Sequence, residues 1–291
     1  MKRTTQHERP DAILCADFHL REDQPTCRID DFWTVQWEKV DFISDLQRKY
    51  DCPVLMAGDL FNHWKPSPYL LTTAIKHLPA QLYLVHGNHD LPQHSLEQSE
   101  KSGVGVLEAA QVLDVLPTCH WGQMPDKGSL FEPELDVLVW HVMTFPKGTS
   151  PWPGCTDLNA EQILEKYPQF PLILCGHNHA TFTEEYEGRL LVNPGSLTRQ
   201  DADQENHEPC VFLWYAKTNT VKKVILPHNP GVISREHIDR PQERHERMEA
   251  YIERMNLDWK IKLKFKDNLE IFFRENPVPK NIQELIWISM H

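Results

Sequence analysis

Five short apolar runs of the sequence are each followed directly by a side chain that can bind a metal ion. These side chains and the runs before them are Asp17 after 12–16, Asp59 after 53–58, Asn88 after 82–87, His141 after 136–140 and His177 after 171–176. Runs of this length, rich in Val, Ile and Leu and bounded by turn residues, are typical of strands buried on both faces. The polar residues are therefore expected at the carboxyl ends of strands.

Two of these side chains have a histidine two positions further along the chain. His19 follows Asp17, and His179 follows His177. Residues two apart on an extended chain point to the same side, so each pair can share one cation. Asp59 has two carboxylate oxygens and can bridge two ions.

The stretch Gly87-Asn88-His89-Asp90 adds a turn and an acid to this set. Gly87 permits a sharp turn, the side-chain carbonyl of Asn88 can bind a metal, and His89 can act as a general acid. Mixed His, carboxylate and amide ligands suit manganese, iron or zinc better than calcium, and the absence of thiolates disfavours structural zinc. Two ions about 3.5 to 4 Å apart activate a water for in-line attack at phosphorus. The sequence therefore predicts phosphoester hydrolysis.

Helical patterns lie between several of the apolar runs, for example over residues 32–50. Strands that alternate with helices indicate an α/β fold, in which ligands gather at the carboxyl edge of the strands. Side chains distant in sequence can thus converge on one site. Segments 118–133 and 144–157 are rich in Pro and Gly and are expected to be loops, the second bordering the site. The polar segment 200–209 is expected to be mobile.

The character of the sequence changes beyond about residue 230. The pattern is helical over 235–255, strictly alternating over 259–266, and helical again over 267–274 and 281–290. We expect a large domain over residues 1–230 and a small C-terminal subdomain over residues 231–291. Lysines of the alternating segment could track a phosphate backbone, but a soluble edge strand is favoured because flanking segments carry as many acids as bases.

Composition sets outer limits on the function. A chain of 291 residues that is 40% hydrophobic can bury one sizeable core, and its apolar runs are far shorter than the ~20 residues of a membrane-spanning helix. The polar N-terminus lacks the pattern of a secretory signal, which favours a cytoplasmic location. Seven cysteines, several inside apolar runs, argue against a disulfide framework. The net charge of -12 disfavours a protein that coats nucleic acid, but not a nuclease whose metal ions supply local positive charge.

The ordered motifs D-x-H, G-D, G-N-H-D, an isolated His and G-H-x-H, from Asp17 to His179, resemble the calcineurin-like metallophosphoesterases. The resemblance spans over half the chain and implies a four-layer α/β sandwich with two central mixed β-sheets flanked by helices. It also implies two divalent ions bridged by Asp59, with His89 protonating the leaving oxygen and Asp90 orienting His89. The further ligands that it implies are Asp17, His19 and His179 for one ion, and Asn88, His141 and His177 for the other.

A narrower resemblance lies in the stretches 58–61, 65–67 and 193–199, which read GDLF, KPS and NPGSLTR. They are similar to the SbcD-type nuclease subunit of DNA double-strand-break repair complexes. This implies a DNA substrate, manganese as the first choice of metal with iron, zinc or magnesium as alternatives, and a homodimer. An SbcC-type ATPase would be the corresponding partner, but its binding is not carried over to this chain. The chain departs from the eukaryotic and archaeal pattern at Asn62, where those nucleases carry a histidine; His63 follows. The tail of about sixty residues is short for a DNA-capping domain and an ATPase-binding region.

Three functions follow from these patterns. The first is a metal-dependent DNA nuclease. The second is a phosphatase or phosphodiesterase acting on small nucleotides or phosphoproteins, which the acidic charge favours. The third is a scaffold that binds a protein partner without catalysis, which the complete ligand set argues against. Residues outside the motifs are expected to serve packing or the surface, namely His63, His86, His94, His120 and Trp152, and residues 193–196 are expected to form a tight turn.

Overall fold

The structure is a computed structural model that describes residues 9–117, 119–125, 137–238 and 265–288. The chain divides into two compact units, residues 1–234 and 235–291. Within the described ranges, no helix is both long enough and apolar enough to cross a membrane. All seven cysteines are free thiols.

The strands of the larger unit come directly from the apolar runs and from the segments that follow them. They are β1 (Ala12–Cys15), β2 (Val54–Met56), β3 (Leu82–Leu84), β4 (Asp114–Val115), β5 (Val137–Trp140), β6 (Leu172–Cys175), β7 (Phe182–Tyr186), β8 (Arg189–Asn193), β9 (Cys210–Tyr215) and β10 (Thr220–Ile225). Its helices are α1 (Phe32–Tyr50), α2 (Pro68–His77), α3 (Gly103–Ala109) and α4 (Ala160–Lys166), with short 3-10 helices at Pro92–His94, Leu96–Lys101 and Ala202–Gln204. The five strands predicted before polar residues are confirmed, as is the helix over residues 32–50.

These strands form two mixed sheets. The first has the order β10-β9-β1-β2-β3-β4. In it β1 to β4 are parallel, β9 is antiparallel to β1, and β10 is antiparallel to β9. The second has the order β5-β6-β8-β7, in which only β7 runs antiparallel to its neighbour. Both sheets carry helices, so the predicted α/β fold with two mixed sheets flanked by helices is confirmed.

Alternation along the strands explains why the apolar runs are continuous. In β1, Ile13 packs in a core with residues of α1 and α2, whereas Leu14 packs in a second core shared with strands of the other sheet. In β5, Val139 joins that central core, whereas Leu138 joins a third core with α4. Each central strand is thus buried on both faces, which places the sheets against each other as inner layers.

The smaller unit contains α5 (Phe265–Glu275) and α6 (Lys280–Ile288). The two helical patterns predicted for this region are confirmed. The strand predicted from the alternating pattern over 259–266 is wrong at its last two residues, because α5 begins at Phe265. Its apolar residues Leu269, Phe272 and Phe273 lie four, seven and eight positions further on, the spacing of a helix face. Residues 259–264, and 239–255 of the charged helical pattern, lie outside the described residues.

Candidate metal centre

The predicted ligands converge at the carboxyl ends of strands from both sheets rather than from one. Asp17, Asp59 and Asn88 follow β1, β2 and β3 of the first sheet, and His141 and His177 follow β5 and β6 of the second. The prediction that these side chains meet is confirmed by their distances. The sequence pattern could not assign the strands to two sheets, because every run has the same apolar character.

Three glycines let the strand ends touch. A Cβ at Gly58 would lie 2.6 Å from His141 Nδ1, and one at Gly87 would lie 2.1 Å from Asp59 Oδ1. A Cβ at Gly176 would lie 2.4 Å from the Ala57 carbonyl oxygen. A glycine directly precedes a ligand in the G-D, G-N-H-D and G-H-x-H motifs because the backbones of neighbouring loops occupy the space of a side chain.

Five of the seven predicted ligands have a left-handed backbone. They are Asp17 at φ 51°, His19 at 47°, Asp59 at 56°, His177 at 79° and His179 at 62°. Non-glycine residues adopt this region in only a few per cent of cases, and each such residue carries local strain. Strain concentrated on one cluster of polar side chains is typical of a functional site.

The first ligand group comprises Asp17, His19, Asp59 and His179, each offering one ligand atom within 4.8 Å of the others. Nε2 of His19 lies 2.9 Å from Nε2 of His179 and 3.5 Å from Oδ2 of Asp59. Asp17, His19 and Asp59 are buried. Nδ1 of His19 is buried without a hydrogen-bond partner.

The second ligand group comprises Asp59, His141 and His177, with ligand atoms also within 4.8 Å of one another. Oδ1 of Asn88 lies 3.1 Å from Nε2 of His141 and 3.0 Å from Nδ1 of His177, so it belongs to the same group. Nδ1 of His141 donates to the Ala57 carbonyl oxygen at 2.6 Å. That bond turns Nε2 toward Oδ2 of Asp59, 3.3 Å away, as outer hydrogen bonds do for metal-binding histidines.

This donor set fits a pair of divalent ions that have Asp59 in common. Oδ2 of Asp59 is buried and accepts no hydrogen bond, while Nε2 atoms of His19 and His141 approach it from the two groups. Buried acceptors crowded around one carboxylate oxygen are costly unless a cation lies between them. Nitrogen and oxygen donors of this mixture accommodate several transition metals.

Two of the histidine ligands are in the protonation state that metal binding requires. Burial lowers the pKa of His19 to about 3, and burial reinforced by His141 lowers the pKa of His177 to about 4. Both imidazoles are thus neutral at pH 7, the state in which they bind metals. Burial opposes charge on Asp59 as well, but His141 and His19 lower its pKa, so it stays a carboxylate. In return, Asp59 overcomes the burial of His141 and raises its pKa to about 9, so His141 must release a proton at pH 7 when a metal binds.

His89 lies beside the first ligand group, with its ring edge-on to His19 at a centroid distance of 4.7 Å. Its Nδ1 lies 2.8 Å from the Asn62 carbonyl oxygen, which leaves Nε2 for chemistry, and its backbone N–H donates to Asp59 Oδ1 at 2.8 Å. Together with His19 and Asn62, it lines a cavity of about 260 Å³. Asn62, which stands where the related nucleases carry a histidine, thus orients His89 through its backbone carbonyl.

Asp90 lies under the ligand loops and binds their backbone. Its carboxylate accepts backbone N–H groups of Asp59 at 2.8 Å, Gly87 at 3.0 Å and Phe61 at 3.2 Å. These bonds tie the loop after β2 to the loop after β3. The contacts of Asp90 therefore favour a role in fixing the backbone under the ligands; that it orients His89 stays a prediction.

The remaining singled-out residues serve mainly structure. His63 is exposed and packs on Trp64, His94 lies 2.9 Å from the Asn88 carbonyl oxygen, and Trp152 is exposed. His86 and His120 form a buried pair in which Nδ1 of His120 accepts the His86 N–H. Of the predicted turn at 193–196, Asn193 ends β8, and its side chain accepts the N–H of Gly195 at 3.0 Å. Leu197 donates its N–H to the Asp17 carbonyl oxygen at 3.0 Å.

Three residues near the centre were missed by the sequence patterns. Arg21 and Gln200 line the cavity beside His89, and Trp121 packs on His177 with a centroid distance of 4.6 Å. Gln200 opens the segment that was expected to be mobile. The side chain of Gln204 accepts the N–H of Gln200 at 2.6 Å and donates to Ser196 Oγ at 2.8 Å, so internal hydrogen bonds hold the start of this segment.

Comparisons with known proteins give one family match and several distant solved structures. The calcineurin-like phosphoesterase superfamily domain matches residues 12–218. Among solved structures, an archaeal phosphodiesterase is 14% identical with a TM-score of 0.40, and the match covers 74% of this chain and 99% of that one. A Vps29 mutant from Entamoeba histolytica is 15% identical with a TM-score of 0.35 over 74% and 99% of the two chains. A predicted phosphoesterase from Streptococcus pneumoniae is 16% identical with a TM-score of 0.35 over 77% and 94%.

The solved structures are distant, so the assignment rests on the family match. That match extends over well more than half of the chain and includes every member of both ligand groups. The chain therefore belongs to the calcineurin-like phosphoesterase superfamily.

Proposed function

We propose that this protein is a metal-dependent nuclease that hydrolyses phosphodiester bonds of DNA, with manganese as its first choice of metal. The observation that carries the hydrolytic part is the position of Asp59 Oδ2, which both ligand groups approach and which no hydrogen bond occupies. Two divalent ions, when bound there, supply an activated water and stabilise negative charge at phosphorus.

His89 is the group suited to protonate the leaving oxygen. The alkoxide of a sugar is a poor leaving group, so its departure depends on a proton donor within reach. The Asn62 carbonyl holds Nδ1 of His89, so Nε2 is the atom from which the proton moves. Since the ring lies edge-on to His19, that donor is next to the first ligand group.

Two adjoining cavities favour a substrate longer than a phosphate monoester. The cavity beside His89 measures about 260 Å³, and a neighbouring one of about 530 Å³ shares His179 and Gln204 with it. Polar side chains line both. A chain of nucleotides could therefore extend from the metal centre, and the stretches that resemble SbcD-type nucleases contribute Ser196 to the wall.

A second candidate is a phosphatase or phosphodiesterase that acts on small nucleotides or phosphoproteins. The net charge of -12 supports it, as does the presence of Asp203 and Glu208 in the larger cavity. Acidic groups there repel a second phosphate unless cations offset them. A homodimer and an SbcC-type ATPase partner stay proposals that sedimentation and co-purification can test.

The test is release of product from end-labelled linear DNA by the manganese-loaded protein. His89→Asn should lower kcat by about 10²- to 10³-fold with unchanged metal content, because it removes the proton donor and not a ligand. His63→Asn is the matched control, since this neighbouring histidine is exposed and does not line the cavity. A chelator should abolish cleavage.

Other outcomes would redirect the assignment. Turnover of bis(p-nitrophenyl) phosphate without cleavage of DNA would support the small-substrate enzyme. No turnover of either ester by metal-loaded protein would support the scaffold. Equal activity of His89→Asn and wild type would remove His89 from the chemistry.

A further inference from the structure

Arg21 stands in the wall of the cavity beside His89, two residues beyond His19. The lining residues are His19, Arg21, Asn62, His89, His179, Ser196, Gln200, Asp201 and Gln204. All of them belong to the described part of the chain, and among them only Arg21 carries a permanent positive charge. Its charge therefore faces the space next to the reacting centre.

The guanidinium of Arg21 is held in place before any substrate arrives. Nε lies 3.0 Å from Asp23 Oδ1, Nη2 pairs with the other oxygen of Asp23, and Nη1 lies 3.3 Å from Gln200 Oε1. An arginine has five N–H donors, so two have no partner among the described residues. A guanidinium fixed in this way has little conformational freedom left to lose when it binds a phosphate.

The backbone of Arg21 is fixed by a buried glutamine of α1. Gln36 donates to the Arg21 carbonyl oxygen at 2.7 Å and accepts the Arg21 N–H at 3.1 Å, and its side chain is fully buried. The ion pair with the exposed Asp23 is not a reason to fix the backbone of Arg21, because surface ion pairs contribute little to stability. The supports suit a guanidinium that must keep one orientation.

Buried cations lie behind the same wall. Lys39 is one helical turn from Gln36, and Arg28 donates through Nη1 to the carbonyl of Arg199, the residue before Gln200. Arg28, Lys39 and Arg199 are all buried, and Asp30 pairs with Arg28. Burial is the main cause that lowers the pKa of Lys39 to about 8; Arg28 and Arg199 lower it further, and Asp30 and Glu38 act against them. Asp201 is the one carboxylate in the described lining of the cavity, and the buried cations behind Gln200 offset its charge because buried charges are screened little by salt.

We infer that Arg21 binds a second, non-reacting phosphate of the substrate, adjacent to the phosphate that is hydrolysed. The site then selects a polynucleotide over an ester with one phosphate. This inference rests on the proposed nuclease function and adds the residue that recognises the flanking part of the strand.

The test is a double-mutant cycle that removes the charge of Arg21, the charge of the non-reacting phosphate, or both. The substrates are thymidine trinucleotides whose non-scissile linkage is either a phosphate or a neutral methylphosphonate, placed 5′ or 3′ of the cleaved bond. For one of the two placements, the neutral linkage should lower kcat/KM of the wild type about 10- to 100-fold. Arg21→Gln should show the same loss with the all-phosphate substrate and no further loss with the neutral one.

Two controls separate this contact from a structural effect. Arg21→Gln should lose much less activity toward bis(p-nitrophenyl) phosphate, which has a single phosphate, than toward the all-phosphate trinucleotide. Arg48→Gln, which breaks an exposed Arg–Asp pair on α1, should leave all substrates unchanged. Arg21→Lys keeps the charge without the fork and should fall between wild type and Arg21→Gln.

Contrary results are distinct. An equal loss with bis(p-nitrophenyl) phosphate would make Arg21 a support of the metal centre, and an undiminished effect of the neutral linkage in Arg21→Gln would place the second phosphate elsewhere. Either would overturn the inference while nuclease activity stands. If the wild type cleaves only bis(p-nitrophenyl) phosphate, the proposed function and this inference fail together.

Discussion

The two ligand groups share Asp59 but differ in their charge and in how their histidines are held. The first has two carboxylates, Asp17 and Asp59, and a histidine, His19, whose Nδ1 has no hydrogen-bond partner. The second adds only neutral ligands to Asp59, but its His141 is fixed by the Ala57 carbonyl. The first group thus has more negative charge, and the second has a histidine whose ring orientation is fixed.

The difference shows how one buried carboxylate can serve both. Charge attracts a cation even where a ligand can rotate, whereas neutral ligands bind well only when their lone pairs already converge. Asp17 also links the groups, because both of its oxygens lie 3.0 Å from the backbone N–H of His177. We therefore expect loss of the shared ligand to affect both ions and distortion of His141 to affect mainly one.

The largest effect is expected from Asp59→Asn. An amide cannot supply two anionic oxygens, so both groups should lose affinity, metal content should fall from two ions per chain, and kcat/KM should drop by about 10³-fold or more. Elemental analysis and phosphodiester turnover measure the two quantities. Asp45→Asn, at an exposed position on α1, is the control. Retention of two ions by Asp59→Asn would contradict a shared ligand.

A smaller effect is expected from Gly58→Ala. The new Cβ would lie 2.6 Å from His141 Nδ1 and 2.7 Å from the Gly87 nitrogen, so the second group should lose its alignment and activity should fall about 10²-fold. Gly148→Ala is a matched control, since Gly148 has a similar φ of 79° but nothing within 4 Å of an added Cβ. Loss of activity in both variants would point to backbone strain instead of crowding at His141.

A further effect, on stability and not on activity, is expected in the pH dependence without metal. Asp59 raises the pKa of His141 from 6.5 to about 9, so the protonated pair stabilises the fold fully below pH 6.5, and this contribution disappears as the pH rises through 9. The loss should be about 3 kcal/mol. His19, with a pKa lowered to about 3, is neutral throughout this window and should add no slope.

Chemical denaturation in a chelator between pH 6 and 9.5 measures this difference. Wild type and His19→Gln should lose more stability across the window than His141→Gln, which should start lower. Lys39 and Asp90, with pKa values of about 8 and about 7, titrate in all three proteins alike and cancel in the comparison. Equal slopes in all three proteins would assign the loss to another group.

Much of the centre could be predicted because its ligands end apolar runs. Asp17 and His177 carry their own local signal, a run of strand residues before them and a histidine two positions after. Arg21 had a weaker signal that could have been used, its place two residues beyond His19 in the same loop. Its partner Gln200 had none, because the contact joins residues 179 positions apart.

Other features depend on contacts through space that no periodicity encodes. The Asn62 carbonyl orients His89 through a backbone atom, which is available at any residue type. The strain at Asp59 and His179 follows from the loops that meet there, and the sequence alone indicates only the glycines beside them. Segment 200–209 was expected to be mobile because it is polar, but Gln204 satisfies its backbone from within.

Diffraction from crystals soaked in manganese, recorded near the manganese absorption edge, offers the sharpest test of a shared two-ion centre. We expect two anomalous peaks roughly 3.5 to 4 Å apart, one beside His19 and one beside His141, with the carboxylate of Asp59 bound to both. A single peak, or a second peak that does not contact Asp59, would contradict the account.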